Sequence, residues 1–119
     1  MFSEVLERIV TETQGGIAAF LMGYDGIAVD QHVLPVEGID MQLLVVEYAN
    51  VLKEIKSAVA TLNTGLMEEV AIKTDRYFVV LKTITDEYFV IFLIARDGNY
   101  GKGRYLLMRE ASVLREGLE

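Results

Sequence analysis

Hydrophobic and polar positions along the 119-residue chain fall into runs of two distinct periods. Over residues 3–14, Phe2, Val5, Leu6 and Ile9 follow the i, i+3, i+4, i+7 pattern of an amphipathic helix. Glu4 and Glu7 occupy its first turn, where the helix dipole favours negative charge, and Gly15 and Gly16 offer the left-handed backbone of a helix stop. Residues 17–23 form an apolar run of strand length. Asp25-Gly26 between two hydrophobic runs predicts a type I′ hairpin, whose two central residues both need positive φ. The return strand, 27–32, alternates, placing Ile27 and Val29 on one face and Asp30 and His32 on the other.

Pro35 to Gly38 break the chain, and residues 40–63 carry its longest helical period. Asp40 is suited to N-cap that helix, with Ile39 and Leu44 placed to close a hydrophobic staple and Thr64-Gly65 to stop it. Three strands follow, over 66–73, 77–84 and 88–95, with turns at Thr74-Asp75-Arg76 and Thr85-Asp86-Glu87. The last strand is apolar at every position from Tyr88 to Ala95, so it belongs in the middle of a sheet covered on both faces. A glycine-rich stretch, Asp97 to Gly103, leads to a helix over 104–116 with Leu107, Ala111, Leu114 and Leu118 as its buried stripe. The order α-β-β-α-β-β-β-α predicts an α/β fold of the α+β kind in one domain, residues 1–119. Its sheet is antiparallel, of five strands, with helices on both faces.

The long helix has apolar residues on two sides. Leu44, Tyr48, Val51, Leu52, Ile55, Val59 and Leu62 share one arc and are expected to pack on the sheet. Ile39, Leu43 and Val46 lie roughly opposite, where full burial would contribute about 5–8 kcal/mol. Either another part of the chain covers them or a second copy does. The strand at 66–73 opens the meander and is a candidate sheet edge, which invites pairing with another chain, although Glu68 and Glu69 are also charges that discourage it. Helix and edge together favour a homodimer about a twofold axis, with Ile39, Leu43, Val46, Met67, Val70 and Ile72 as candidate interface residues. The polar positions Glu47, Asn50, Lys53 and Glu54 are candidates for binding a partner, or form a plain solvated face.

Composition narrows the classes. Hydrophobic residues make up 52% of the chain, leaving apolar surface over on so small a body. The net charge is −7 and the basic residues are scattered singly, which speaks against nucleic acid and anionic membrane as partners. Without cysteine there is neither a disulfide framework nor a thiolate metal site. The charged N-terminus and the lack of a long apolar run suggest a cytoplasmic protein. His32 has no nearby serine or second histidine with which to form a triad or metal site. The stretch Gly98 to Arg104 sits where a phosphate loop would, but the spacing is short and Gly103 stands where a hydroxyl is needed. Arg76, Arg96 and Arg104 show nothing that marks an arginine finger. No catalytic, cofactor-binding or metal-ligating residue is assigned.

The strings Phe20-Leu-Met-Gly-Tyr-Asp-Gly-Ile-Ala-Val-Asp30 and Gly101-Lys-Gly-Arg-Tyr-Leu-Leu-Met-Arg-Glu-Ala111, in this order of elements, resemble the Roadblock family over nearly the whole chain. That family includes dynein light chains and the bacterial gliding-motility protein MglB. The resemblance implies a sheet of five antiparallel strands with the long helix on one face and the terminal helices on the other, and a dimer joined through the long helix and the strand after it. It also implies a non-enzymatic regulator of a small Ras-like GTPase. A GTPase-activating role would be exerted by repositioning the GTPase's own residues, with no cofactor on this chain. The alternative is a dimeric scaffold or adaptor for a motor or signalling assembly. A small-molecule sensor is less in keeping with the uniformly apolar core.

Overall fold

The structure, a computed structural model, describes residues 2–119. The elements are α1 (Phe2–Glu12), β1 (Gly16–Gly23), β2 (Ala28–Val33), α2 (Met41–Leu62), β3 (Glu69–Lys73), β4 (Tyr77–Thr83), β5 (Tyr88–Ala95) and α3 (Tyr100–Leu118). All strand pairs are antiparallel, in the order β2-β1-β5-β4-β3, so the most apolar strand is central and β2 and β3 are the free edges.

Alternation along the central strands separates two cores. Ala19, Leu21, Val80, Val90, Phe92 and Ile94 point to one side, where α1 contributes Leu6 and Ile9 and α3 contributes Leu107 and Leu114. Ala18, Phe20, Met22, Leu81, Phe89 and Ile91 point to the other, under α2. The long helix thus covers one face and the terminal helices the other, as expected.

Local departures have clear causes. Tyr24, Asp25 and Gly26 form a three-residue hairpin loop in which Gly26 alone has positive φ, with Gly23 N–H bonded to Ile27 C=O and Gly26 N–H to Gly23 C=O. A type I turn followed by a left-handed glycine joins the strands as well as the expected I′ turn does. Leu21 pairs with Asp30 but Met22 pairs with Ala28, so Val29 is an extra residue in β2. A bulge interrupts the strict alternation expected along this strand, and Ile27 and Val29 both stand exposed. Asn63, at φ 55, ends α2 ahead of Thr64-Gly65, its N–H bonded to Ala60 C=O.

The glycine-rich stretch serves packing. The Asn99 side chain accepts from Lys102 N–H at 3.0 Å and caps α3, which begins at Tyr100, earlier than residue 104. A Cβ on Gly103 would lie 2.6 Å from Ile94 Cδ1 and 3.1 Å from Phe92, so glycine lets α3 settle on the sheet without displacing these core side chains.

One carboxylate ties the two terminal helices together. Glu110 is buried, and its Oε1 accepts from Arg8 Nε at 2.6 Å and stands 3.4 Å from Arg109 Nη2. The Arg8 hydrogen bond holds the Glu110 carboxyl below its ordinary value, against the opposing pull of burial. A carboxyl lowered in the folded state stabilises the fold fully above its unfolded value. That contribution is lost as pH falls from the ordinary 4.5 through the lowered value. Glu110→Gln should therefore lower stability at neutral pH by about 1–2 kcal/mol, a modest figure because Arg8 is partly in solvent. It should also flatten the loss of melting temperature between about pH 5 and pH 3. Melts of both proteins across that range check this.

Candidate interaction surfaces

α2 is a long helix that buries little of itself. Of its 22 residues only Ala49 and Leu52 are fully buried. Met41, Leu44, Val45 and Tyr48 are half-buried against the sheet, and Asp40 caps the helix by accepting from Leu43 N–H at 3.1 Å. Its second half is fastened by Lys56, whose Nζ donates to Asp86 C=O at 2.8 Å and lies 3.9 Å from the Tyr24 ring centroid. Tyr24 in turn shares a hydrogen bond with Thr83 at 3.2 Å, and burial pushes its hydroxyl above the ordinary pKa.

The rest of the helix surface divides into an outer ridge and a flank. Leu43 and Val46, 56% and 55% exposed, stand on the outer ridge with the exposed Glu47, Asn50, Lys53 and Glu54. Val51 and Leu62 were expected on the sheet face, yet they are 39% and 70% exposed. They lie about 80–100° round the helix from Leu52, on the side of Leu44 and hence of Tyr77 and β3. Burial centres on Leu52 and Ala49, so this arc's edge falls outside the contact with the sheet. Leu66, 88% exposed, follows at the end of the helix-to-strand connection. A burial arc narrower than the apolar arc was not readable from the period alone.

β3 continues this flank. Val70 and Ile72 pair with Leu81 and Val79 and face the α2 side, half-buried, while Glu69 and Lys73 face α3. Glu69 is held by an ion pair with Arg104. Met67 and Ile39 are half-buried against the α2-side core, Ile39 beside the start of α2. Thus Val70, Ile72 and Met67 adjoin the bare edge, Ile39 lies beside Leu44 and Tyr77, and Leu43 and Val46 stand out with the polar ridge.

Other candidate chemistry finds structural partners. Arg96 Nε donates to Thr74 C=O at 2.9 Å, and its guanidinium lies 4.8 Å from the Phe78 centroid. Arg76 lies 5.5 Å from the Tyr77 centroid. His32 is half-buried on the α1 side of β2, and its Nε2 has no hydrogen-bond partner. Among the described residues no group of three His, Asp or Glu side chains is placed to hold a metal, and no helix is long and apolar enough to cross a membrane.

A scan of protein-family models finds no match, and a search of curated proteins finds none either. Solved structures do match. MglC from Myxococcus xanthus is 35% identical, with 96% of each chain covered and a TM-score of 0.69. A Roadblock/LC7 domain from Streptomyces avermitilis is 15% identical, covers 98% of this chain and 96% of its own, and reaches a TM-score of 0.85. Myxococcus xanthus MglB, at 11% identity, covers 98% and 93% with the same score of 0.85, a likeness of fold alone.

The two sides of α2 should respond oppositely to truncation. Leu52→Ala should cost about 2–5 kcal/mol, the range for emptying a packed core site, while Leu43→Ser and Val46→Ser should change stability by less than about 0.5 kcal/mol. Urea unfolding of the three variants checks this.

Proposed function

This chain belongs to the Roadblock family, and from that premise we propose that it works as a homodimeric, cytoplasmic regulator of a small Ras-like GTPase, acting by contact without a catalytic site of its own. The observation that carries the dimer is the coincidence of a bare strand edge with an apolar helix flank. β3 offers unpaired backbone groups along Glu69–Lys73, and Val51 and Leu62 are exposed on that side of α2. A twofold axis beside β3 would pair the two edges into one sheet and bring each α2 flank against its mate, an isologous contact. Val70, Ile72 and Met67 would complete that contact beneath the helices.

The dimer leaves the ridges of both helices free. Each presents Leu43 and Val46 among Glu47, Asn50, Lys53 and Glu54, an apolar centre with a polar rim of the kind partner surfaces use. On this reading the paired ridges hold the switch segments of a GTPase so that its own groups meet the γ-phosphate, while GTP and magnesium stay with the partner. Arg96 and Arg104 are engaged within the fold, which fits a mechanism without an inserted arginine.

Sedimentation of the wild-type protein at micromolar concentration should give a dimer, and the double variant Val51→Glu, Leu62→Glu a folded monomer. A monomeric wild type would refute the dimer. GTP turnover by a Ras-like GTPase from the same organism should rise about tenfold or more with this protein in excess, equal to about 1.4 kcal/mol of barrier. Leu43→Glu with Val46→Glu should abolish the rise without splitting the dimer. GTP-dependent binding with unchanged turnover would make the protein an adaptor, and absence of binding would remove the GTPase from the reading.

A further inference from the structure

The second free edge of the sheet differs from the first in charge and in what lies beside it. β2 ends the sheet opposite β3. Leu34 N–H donates inward to Ile17 C=O at 2.8 Å, so by strand alternation the backbone groups of Gln31 and Val33 point outward. Gln31 N–H is met only by the Oδ1 of neighbouring Asp30, at 2.8 Å, so a side chain fills the place of a missing strand.

Beside this edge, on the α2 side, lies an open groove of about 430 Å³ between β2 and the first half of the helix. Met22, Ala28 and Gln31 form its floor, and Met41, Val45 and Val46 its wall. The long helix leaves it uncovered because its burial centres on Leu52 and Ala49, and Met41, Val45 and Val46 only wall the space beside them. A strand added to β2 would run along the mouth of this groove, and alternate side chains would drop into it.

Charge specifies the occupant. No lysine or arginine occurs between Arg8 and Lys53, the segment that builds β1, β2, the following loop and the wall of the groove. Asp25, Asp30 and Glu37 lie in the hairpin, the edge strand and the loop that follows it, while the exposed Ile27 and Val29 keep the edge apolar; Asp40 and Glu47 face the Tyr77 side of α2 instead. Arg8 is committed to Glu110, and Lys56 to Asp86. A second copy of this chain would set acidic edge against acidic edge, which disfavours it. We propose that the β2 edge binds an extended segment of another protein in which aliphatic residues alternate with lysine or arginine. The aliphatic side chains enter the groove, and the basic ones meet Asp30 and the flanking carboxylates. This surface lies at the edge away from β3 and rests on neither the dimer nor the GTPase reading, and it shares only Val46 of its wall with the outer ridge of α2.

The test is fluorescence anisotropy with a labelled heptapeptide alternating lysine and valine. Saturable binding is expected, with a dissociation constant of about 10–100 μM for so short a strand. A glutamate–valine peptide, and a lysine–valine peptide with proline at its centre, should each bind at least about tenfold more weakly, the first for charge and the second for the lost backbone donor. Gln31→Lys should weaken binding about tenfold or more by charge and by filling the groove; Ala28→Lys, at an exposed position of the same floor, serves if the first variant melts early. The Val51→Glu, Leu62→Glu protein should bind as the wild type does, which separates this surface from the dimer. No saturable binding of the lysine–valine peptide up to about 1 mM would overturn the proposal. So would equal affinity for the proline peptide, which would mean charge alone, or a loss on Ala71→Lys in β3 as large as that on Gln31→Lys.

Discussion

The fold rests on the burial of β5 and β1 on both faces. Phe89, Ile91 and Leu93 point one way and Val90, Phe92 and Ile94 the other, all of them buried. A strand with no polar face must have a neighbour on each edge and a layer above and below. That requirement puts β1 and β4 beside β5, α2 on one side, and α1 with α3 on the other. It also explains Gly103, because a helix must come close enough for Phe92 and Ile94 to lose their water.

Three helices cannot cover five strands to their edges, and the shortfall is unequal on the two faces. α1 and α3 share one face and are joined across it by Arg8 and Glu110. α2 covers the other face alone and sits over its middle. Bare strips therefore remain on both of its sides, one leading to β3 and the other to β2. The β3 strip is apolar with mixed charge along the edge, which suits a second copy of the same chain. The β2 strip is apolar with acidic charge only, which suits a basic partner. One packing constraint thus yields two unlike surfaces.

The outer ridge of α2 completes the account. Lys56, fixed between Tyr24 and the backbone of Asp86, anchors the far half of the helix, so its polar ridge is presented on a rigid support. A ridge that carries Leu43 and Val46 among charged and amide side chains is positioned by the sheet without being used by it.

Element order, the central place of β5, the N-cap at Asp40 and the edge position of the strand expected over 66–73, which forms from Glu69, were legible in the sequence, because each follows from local chemistry or from a strand's own hydrophobic period. The assignment of faces on α2 was legible only in part. Leu44, Tyr48 and Leu52 pack as their spacing requires, but Val51 and Leu62, on the same apolar arc, stand in solvent. The extra residue at Val29 was likewise decided elsewhere, by pairing with β1, whereas the early start of α3 at Tyr100 follows from a local cap at Asn99. By itself the sequence determined which segments are helix or strand and which strand lies deepest, since period and composition act over a few neighbouring residues. Only the tertiary structure decided which apolar side chains were left uncovered, because coverage depends on where one helix comes to rest across a sheet wider than itself.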